Sequence, residues 1–424
     1  MAFCAILAAL AVGLAPAPKP TMAEFVGLNT HTVQFRTELY RPVARLLRNY
    51  HPVEWDLGKD AGHPTTFPFA RNGVNWDNLY GAWRREGYTT TASLMFETLA
   101  PAQWTDWSHL RTYGEAFGRH FGKTGSLDAV EVGNEPGAFS DAEYRSAFHS
   151  LAGGIRATAP SLKIATCAVR VGPSGPYHKS VDTVKGLEHL YDALGIHVYA
   201  EVEPYPTWRR TNPENPEADF LKPVQNLIEW RNRHAPGKEV WVTEFGWDAT
   251  TASPDPDTEF ARWVGSTETQ QAQWIVRAYL EFARLDVRRA YLFWFNDEDR
   301  AHVHGSSGLT RRYAPKPSFF AVAHMLQKLG DFRWTRDVRR DPGVFAAEFA
   351  QAGDANQRVW VVWVPTEAGE PAAFEFADLP GRVVSAERMP LTPGPAPSVP
   401  FSVDAGRLRL TVDGSPVYVR WTAD

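Results

Sequence analysis

Two stretches of the chain carry a carboxylate where it could act on a bond. Val130-Glu131-Val132-Gly133-Asn134-Glu135-Pro136 ends an apolar run with an acid just before a proline. Val240-Trp241-Val242-Thr243-Glu244-Phe245-Gly246 ends another with an acid just before a glycine. Both runs are rich in β-branched residues, so each reads as a strand stopped by Pro or Gly, with its acid at the carboxyl end. Strand side chains alternate faces, so Glu244 shares a face with Val242 and Val240, and Glu135 shares one with Glu131. A pair of carboxyl groups can divide a reaction between them, one donating a proton and the other attacking in its ionised form. Glycosidic cleavage needs such a pair. A carboxyl separation of about 5–5.5 Å goes with retention through a covalent glycosyl intermediate, and about 6.5–9.5 Å with inversion.

Other strand ends carry residues suited to the same task. His197 and Tyr199 stand two apart and point the same way, where they could hydrogen-bond a nucleophile or a sugar. Trp294 offers a flat face for a sugar ring, and Asn296 follows two residues on. Asn29 and His31 share a face at the end of the first run. Glu54-Trp55-Asp56 ends the second run, where Trp55 and the acids could bind hydroxyls or the acids could pair with arginines. Glu131 is expected inside the barrel, held by an Arg or Lys. His302-Val303-His304 has no third ligand at metal-site spacing, so neither a metal nor a cofactor is expected.

These residues need elements to hold them. Short apolar runs at Phe25–Asn29, Val53–Asp56, Thr89–Phe96, Ala129–Asn134, Leu162–Val169, Leu194–Tyr199, Glu239–Phe245 and Ala290–Phe295 predict strands. Amphipathic stretches between them, such as Glu38–Tyr50, Trp76–Glu86 and Asp141–Ala157, predict helices. Strictly alternating strands and helices imply an α/β fold, a (β/α)8 TIM barrel over residues 21–331. Such barrels put reacting groups at the carboxyl ends of strands, and the fourth and seventh strands face each other across the ring. The long Pro-rich, aromatic segments Glu201–Phe220 and Asp248–Thr267 are expected to wall a groove. Beyond Asp331 helical periodicity stops. Seven short strand-like runs from Val344 to Trp421, separated by Gly, Pro, Asp and Asn, predict a smaller C-terminal all-β, sandwich-like domain over residues 332–424.

Composition agrees with this architecture. The 424 residues are 44% hydrophobic and 22% charged, with a net charge of −5 and both signs dispersed, which excludes a disordered chain and leaves no basic footprint for nucleic acid. Sixteen tryptophans suit either a large core or sugar stacking. Two cysteines, Cys4 and Cys167, exclude a disulfide framework. Residues 1–20 form an apolar leader whose Ala2–Ala15 core has the length of a signal peptide, so secretion or periplasmic export is expected. The leader is too short to span a membrane comfortably, and no later segment approaches that length.

Asn134-Glu135-Pro136, the His197-x-Tyr199 pair, Thr243-Glu244-Phe245-Gly246 and Trp294 stand in the order found in retaining glycoside hydrolases of the (β/α)8 clan A, which residues 24–330 resemble. The resemblance implies that Glu135 is the acid/base, Glu244 the nucleophile, Asn134 a ligand of the sugar 2-hydroxyl and Trp294 the platform of the cleavage subsite. It implies a β-linked glycan as substrate, and the Trp-rich loops lean towards an oligo- or polysaccharide cleft. One departure stands out: many clan members support the nucleophile with an Arg at the end of the second strand, where this reading finds Glu54-Trp55-Asp56. A transglycosidase sharing the intermediate, a barrel that binds glycans without cleaving them and a metal-dependent barrel hydrolase are the competing readings.

Overall fold

Eight parallel strands close on themselves to form the larger part of the chain. The structure, a computed structural model, describes residues 18–32, 36–58 and 74–423; Cys4 and the Ala2–Ala15 run lie outside the described residues. The strands are β1 (Val26–Thr30), β2 (Leu46–Pro52), β3 (Thr89–Met95), β4 (Ala129–Val132), β5 (Lys163–Arg170), β6 (Ala193–His197), β7 (Glu239–Phe245) and β8 (Arg289–Leu292). Each pairs in parallel with its neighbours in sequence, β8 pairs with β1, and the ring is complete. Six longer helices accompany it: α1 (Trp76–Arg85), α2 (Ser108–Thr124), α3 (Asp141–Thr158), α4 (Leu221–His234), α5 (Glu268–Arg284) and α6 (Pro317–Leu329). Their starts are written in the sequence. Ser140 with Glu143 and Thr267 with Gln270 form capping boxes at α3 and α5, each satisfying N–H groups that a helix start leaves free.

The second strand lies seven residues earlier than the sequence suggested. Leu46–Pro52 is β2, and Val53–Leu57 is a short helix. The predicted helix over 38–50 is a single turn, Thr37–Tyr40, before the chain extends. The reason is burial of both faces. Arg48 and Tyr50 point into the barrel, while Asn49 and His51 bond Tyr80 of α1 behind it. A strand with polar residues on each face has no apolar alternation to read.

The C-terminal part is two antiparallel sheets. Strands β9 (Phe332–Asp341), β10 (Val344–Gln351), β11 (Gln357–Trp363), β13 (Gly381–Arg388) and β16 (Val417–Ala423) form one, in the order β9-β10-β11-β16-β13. Strands β12 (Ala372–Phe376), β14 (Phe401–Asp404) and β15 (Arg407–Val412) form the other, with β15 central. Alternation along β11 tells which side faces what. Trp360 and Val362 join Leu408, Leu410 and Trp421 in the core between the sheets. Val359, Val361 and Trp363 join the core continuous with the barrel. The β-domain therefore has one face for itself and one for its neighbour. Polar ties reinforce the seam: Arg340 of β9 pairs with Glu281 of α5 at 2.6 Å, and Trp363 Nε1 donates to Glu214 Oε1 at 2.7 Å.

Candidate active site

Glu244 sits at the carboxyl end of β7, where Gly246 ends the strand; a Cβ on Gly246 would lie 2.3 Å from the Phe293 carbonyl oxygen. Three donors converge on its carboxylate. Oε1 accepts from Tyr50 OH at 2.6 Å and from Arg48 Nη1 at 3.1 Å, and Oε2 accepts from Tyr199 OH at 2.9 Å. Burial alone would raise its pKa, but the charges of His197 and Arg48 and the Tyr50 hydrogen bond outweigh it, and the carboxyl is held below its ordinary value. Glu244 is thus built to be ionised.

Arg48 organises the floor beneath it. A guanidinium has five N–H donors, and here each has an acceptor: Glu131 Oε2 (2.5 Å), Asn29 Oδ1 (2.8 Å), Glu244 Oε1 (3.1 Å), Asn134 Oδ1 (2.7 Å) and Ser93 Oγ (3.3 Å). These come from β1, β3, β4, the turn after β4, and β7. The side chain is fully buried, so the Glu131 and Glu244 carboxylates are what keep its charge inside the protein. The departure noted from the sequence is corrected here. An arginine from the second strand does support Glu244; it is Arg48, overlooked because β2 was placed seven residues too late. Of the three residues read in its stead, Asp56 is a buried acceptor for Tyr113 OH (2.7 Å), His51 Nε2 (2.7 Å) and Trp76 Nε1 (2.8 Å).

Glu135 stands across the barrel mouth, on the turn after β4. Gly133 makes that turn at φ 82°, a conformation open to glycine at little cost. The Glu135 side chain is 27% exposed and Glu244 is 8% exposed, so the first reaches solvent and the second is nearly closed off. His197, at the end of β6, lies between them. Its Nδ1 is 2.8 Å from Glu135 Oε1 and 3.7 Å from Glu244 Oε2. Facing only acceptors, this nitrogen carries the hydrogen. Burial pulls the His197 pKa down, yet the two carboxylates more than offset that and hold it above its usual value. Reactive atoms of Glu135, His197 and Glu244 all lie within 4.8 Å of one another. The same three residues offer one ligand atom each to a cation, and the Arg48 charge already lies against one of them, Glu244.

The remaining sequence-derived residues divide by depth. Tyr199 reaches the carboxylate of Glu244, and the Arg210 guanidinium lies 4.3 Å from its ring centroid. Trp294, two residues past β8, stacks on Phe293 and meets His31 edge-on at 6.2 Å; its Nε1 is buried with no partner. His31 also meets Trp55 edge-on at 6.4 Å, and its Nδ1 has no partner either. Trp294, His31 and Trp55 thus form one aromatic wall beside the carboxylates. Two residues read as suited to the substrate are turned into the protein. Asn29 is fully buried under the floor, donating to the Thr243, Tyr291 and Leu292 carbonyls. Asn296 accepts from Tyr313 N at 2.6 Å and Thr310 Oγ1 at 3.0 Å, fixing the turn beyond β8. Asn134 turns its Oδ1 to Arg48.

Three residues of this site escaped the sequence reading: Arg48, Tyr50 and Arg210. For the first two the signal was present, since Leu46-Leu47-Arg48-Asn49-Tyr50 places an Arg and a Tyr on one strand face. Arg210 lies in an irregular segment and carried no signal.

Comparison with solved structures follows the same lines. A family 39 glycoside hydrolase from the gut symbiont Bacteroides cellulosilyticus WH2 superposes with TM-score 0.69 and 18% identity, over 94% of this chain and 80% of its own. The likeness is one of fold. A glucosidase from Croceicoccus marinus gives TM-score 0.65 at 14% identity, over 96% and 98% of the two chains. A family 30 endoxylanase from Clostridium papyrosolvens C71 gives 0.58 at 12%, also over 96% and 98%. The barrel and the β-domain are thus both shared with glycoside hydrolases along nearly their full length. The sequence matches no family model and no curated protein.

Proposed function

We propose that this protein is a retaining glycoside hydrolase that cleaves β-linked glycosides in an oligo- or polysaccharide. The observation that carries the reading is the carboxyl pair: oxygens of Glu135 and Glu244 lie within 4.8 Å across the barrel mouth, in keeping with about 5–5.5 Å for retention and short of the room inversion leaves for water. Glu244, gripped by Arg48, Tyr50 and Tyr199, is the ionised nucleophile. Glu135, on the open side of the mouth, takes the part of the acid that its place in Asn134-Glu135-Pro136 implies.

In the first step Glu244 Oε attacks the anomeric carbon while the Glu135 proton passes to the departing oxygen, leaving a glycosyl ester on Glu244 and a carboxylate at Glu135. In the second, Glu135 takes a proton from water, whose oxygen displaces Glu244. Tyr199 and Tyr50 release hydrogen-bonding strength as charge leaves Glu244 and regain it at the end. The wall of Trp294, His31 and Trp55 is the surface on which the sugar rests. A panel of aryl β-glycosides and β-linked polysaccharides tests this. Turnover in the wild type and its loss in Glu244→Ala are expected; turnover that survives Glu244→Ala would refute the assignment.

A further inference from the structure

Past the end of β4 the backbone N–H groups of Asn134 and Glu135 need acceptors, because a buried N–H left unpaired is costly. Both donate to one atom, Glu97 Oε1, at 2.5 and 3.0 Å. Glu97 lies in the 3-10 turn Phe96–Thr98 that follows β3. Gly133 turns the chain so that both N–H groups aim the same way, and a Cβ there would come within 2.9 Å of the Phe96 ring and 3.4 Å of Glu97 Oε2. On its other side the same peptide is held by the Asn134 carbonyl, which accepts from Ala168 N at 3.1 Å. Glu97 Oε2 is buried and has no partner.

The mechanism proposed above makes no use of Glu97, yet nothing else among the described residues takes these two N–H groups. We propose that Glu97 is a positioning residue, which holds the Asn134-Glu135 peptide by its two N–H groups and so sets the Glu135 carboxyl over the leaving oxygen. The proposal rests on the reading of Glu135 as the acid. Charge strengthens such bonds, and here the charge is tunable. Burial, against the pull of the surrounding N–H groups, lifts the Glu97 pKa to about 7. The other titratable groups facing it are Glu131 from β4 and Cys167 from β5. The Cys167 thiol is itself pushed up by burial and stays neutral.

The test uses the full chain and two variants, with the amide signals of Asn134 and Glu135 as a readout independent of turnover. In Glu97→Ala, hydrogen exchange at both amides speeds up about tenfold or more, the scale of one lost hydrogen bond. The kcat for a glycoside with a poor leaving group falls by a similar factor while KM changes less than about twofold. Glu97→Gln keeps an acceptor oxygen in place and recovers most of both. In the wild type the two amide shifts titrate near pH 7, and in Glu97→Gln they do not. Wild-type exchange rates in Glu97→Ala, or an unchanged kcat despite faster exchange, would each overturn the proposal. Should Glu97→Ala fail to fold, Glu97→Ser, whose short side chain cannot reach both amides, is read in the same two ways: faster exchange and a lower kcat are expected, and wild-type values of either would overturn the proposal. Absence of any glycosidase turnover in the wild type would instead overturn the function proposed for Glu135, whatever the amides report.

Discussion

Arg48 Nη1 donates to Glu244 Oε1 at 3.1 Å with the arginine side chain fully buried and the glutamate 8% exposed. A pair so enclosed has little water to fall back on. Arg48→Met leaves the Glu131 and Glu244 carboxylates without their cation, and breaking a buried pair on one side costs about 3–5 kcal/mol. Urea melts of the variant are expected to show a loss of that order, with kcat lowered at least about a hundredfold because Glu244 loses its buried cationic donor. A melt indistinguishable from wild type would contradict the five-acceptor arrangement.

Tyr199 and Tyr50 can be separated from Arg48. Tyr199→Phe keeps the ring under Arg210 and removes only the 2.9 Å hydrogen bond to Glu244 Oε2. Stability stays near wild type. The acid limb of the pH–rate profile, which reports protonation of Glu244, lies below the ordinary carboxylate range in the wild type, since the pKa is lowered. Loss of a donor to the ionised form moves that limb upward. An acid limb that stays put, or moves down, would contradict the role given to Tyr199.

Removing Glu135 should expose the chemistry by leaving group. Glu135→Ala retains formation of the glycosyl ester from aryl glycosides with acidic phenols, which depart without help, and loses about 100-fold or more on unactivated glycans. Azide, a nucleophile needing no general base, restores turnover of the activated substrates. Equal loss on all leaving groups would refute the acid assignment.

The β-domain seam carries a titration of its own. His324 on α6 is buried against Tyr418 of β16, ring centroids 5.0 Å apart, and burial lowers its pKa from 6.5 to about 4. The folded state therefore keeps the imidazole neutral where the unfolded chain would protonate it. Stability is complete above pH 6.5 and declines as pH falls from 6.5 toward 4, because the unfolded state binds the extra proton. His324→Gln should flatten that part of the stability curve in thermal melts across pH 4–7; an unaltered slope would assign it to other groups.

How much of this was legible beforehand varied with the physics of each strand. β4 and β7 were readable because a β-branched, apolar run leads up to each acid and a Pro or Gly stops it. β2 was not, because its inward residues Arg48 and Tyr50 and its outward residues Asn49 and His51 are all polar, and each finds its partner only through tertiary structure. β9 was missed for a related reason: Phe332–Asp341 is an edge strand laden with Arg and Asp, carrying two bulges, which discourages pairing with other chains and hides strand periodicity. Face parity placed Asn29 on the inner side of the barrel, but parity says nothing about depth. Asn29 lies below the mouth, where its amide serves three carbonyls. Arg210 lies in an irregular segment and Glu97 in a turn, and the role of each is set by what it meets across the fold.

The most direct test of the carboxyl pair is the stereochemistry of the first product. Proton NMR of a hydrolysed β-glycoside, recorded before mutarotation, is expected to show the β-anomer appearing first and the α-anomer following slowly. First appearance of the α-anomer would mean direct attack by water, and the covalent role of Glu244 would be contradicted.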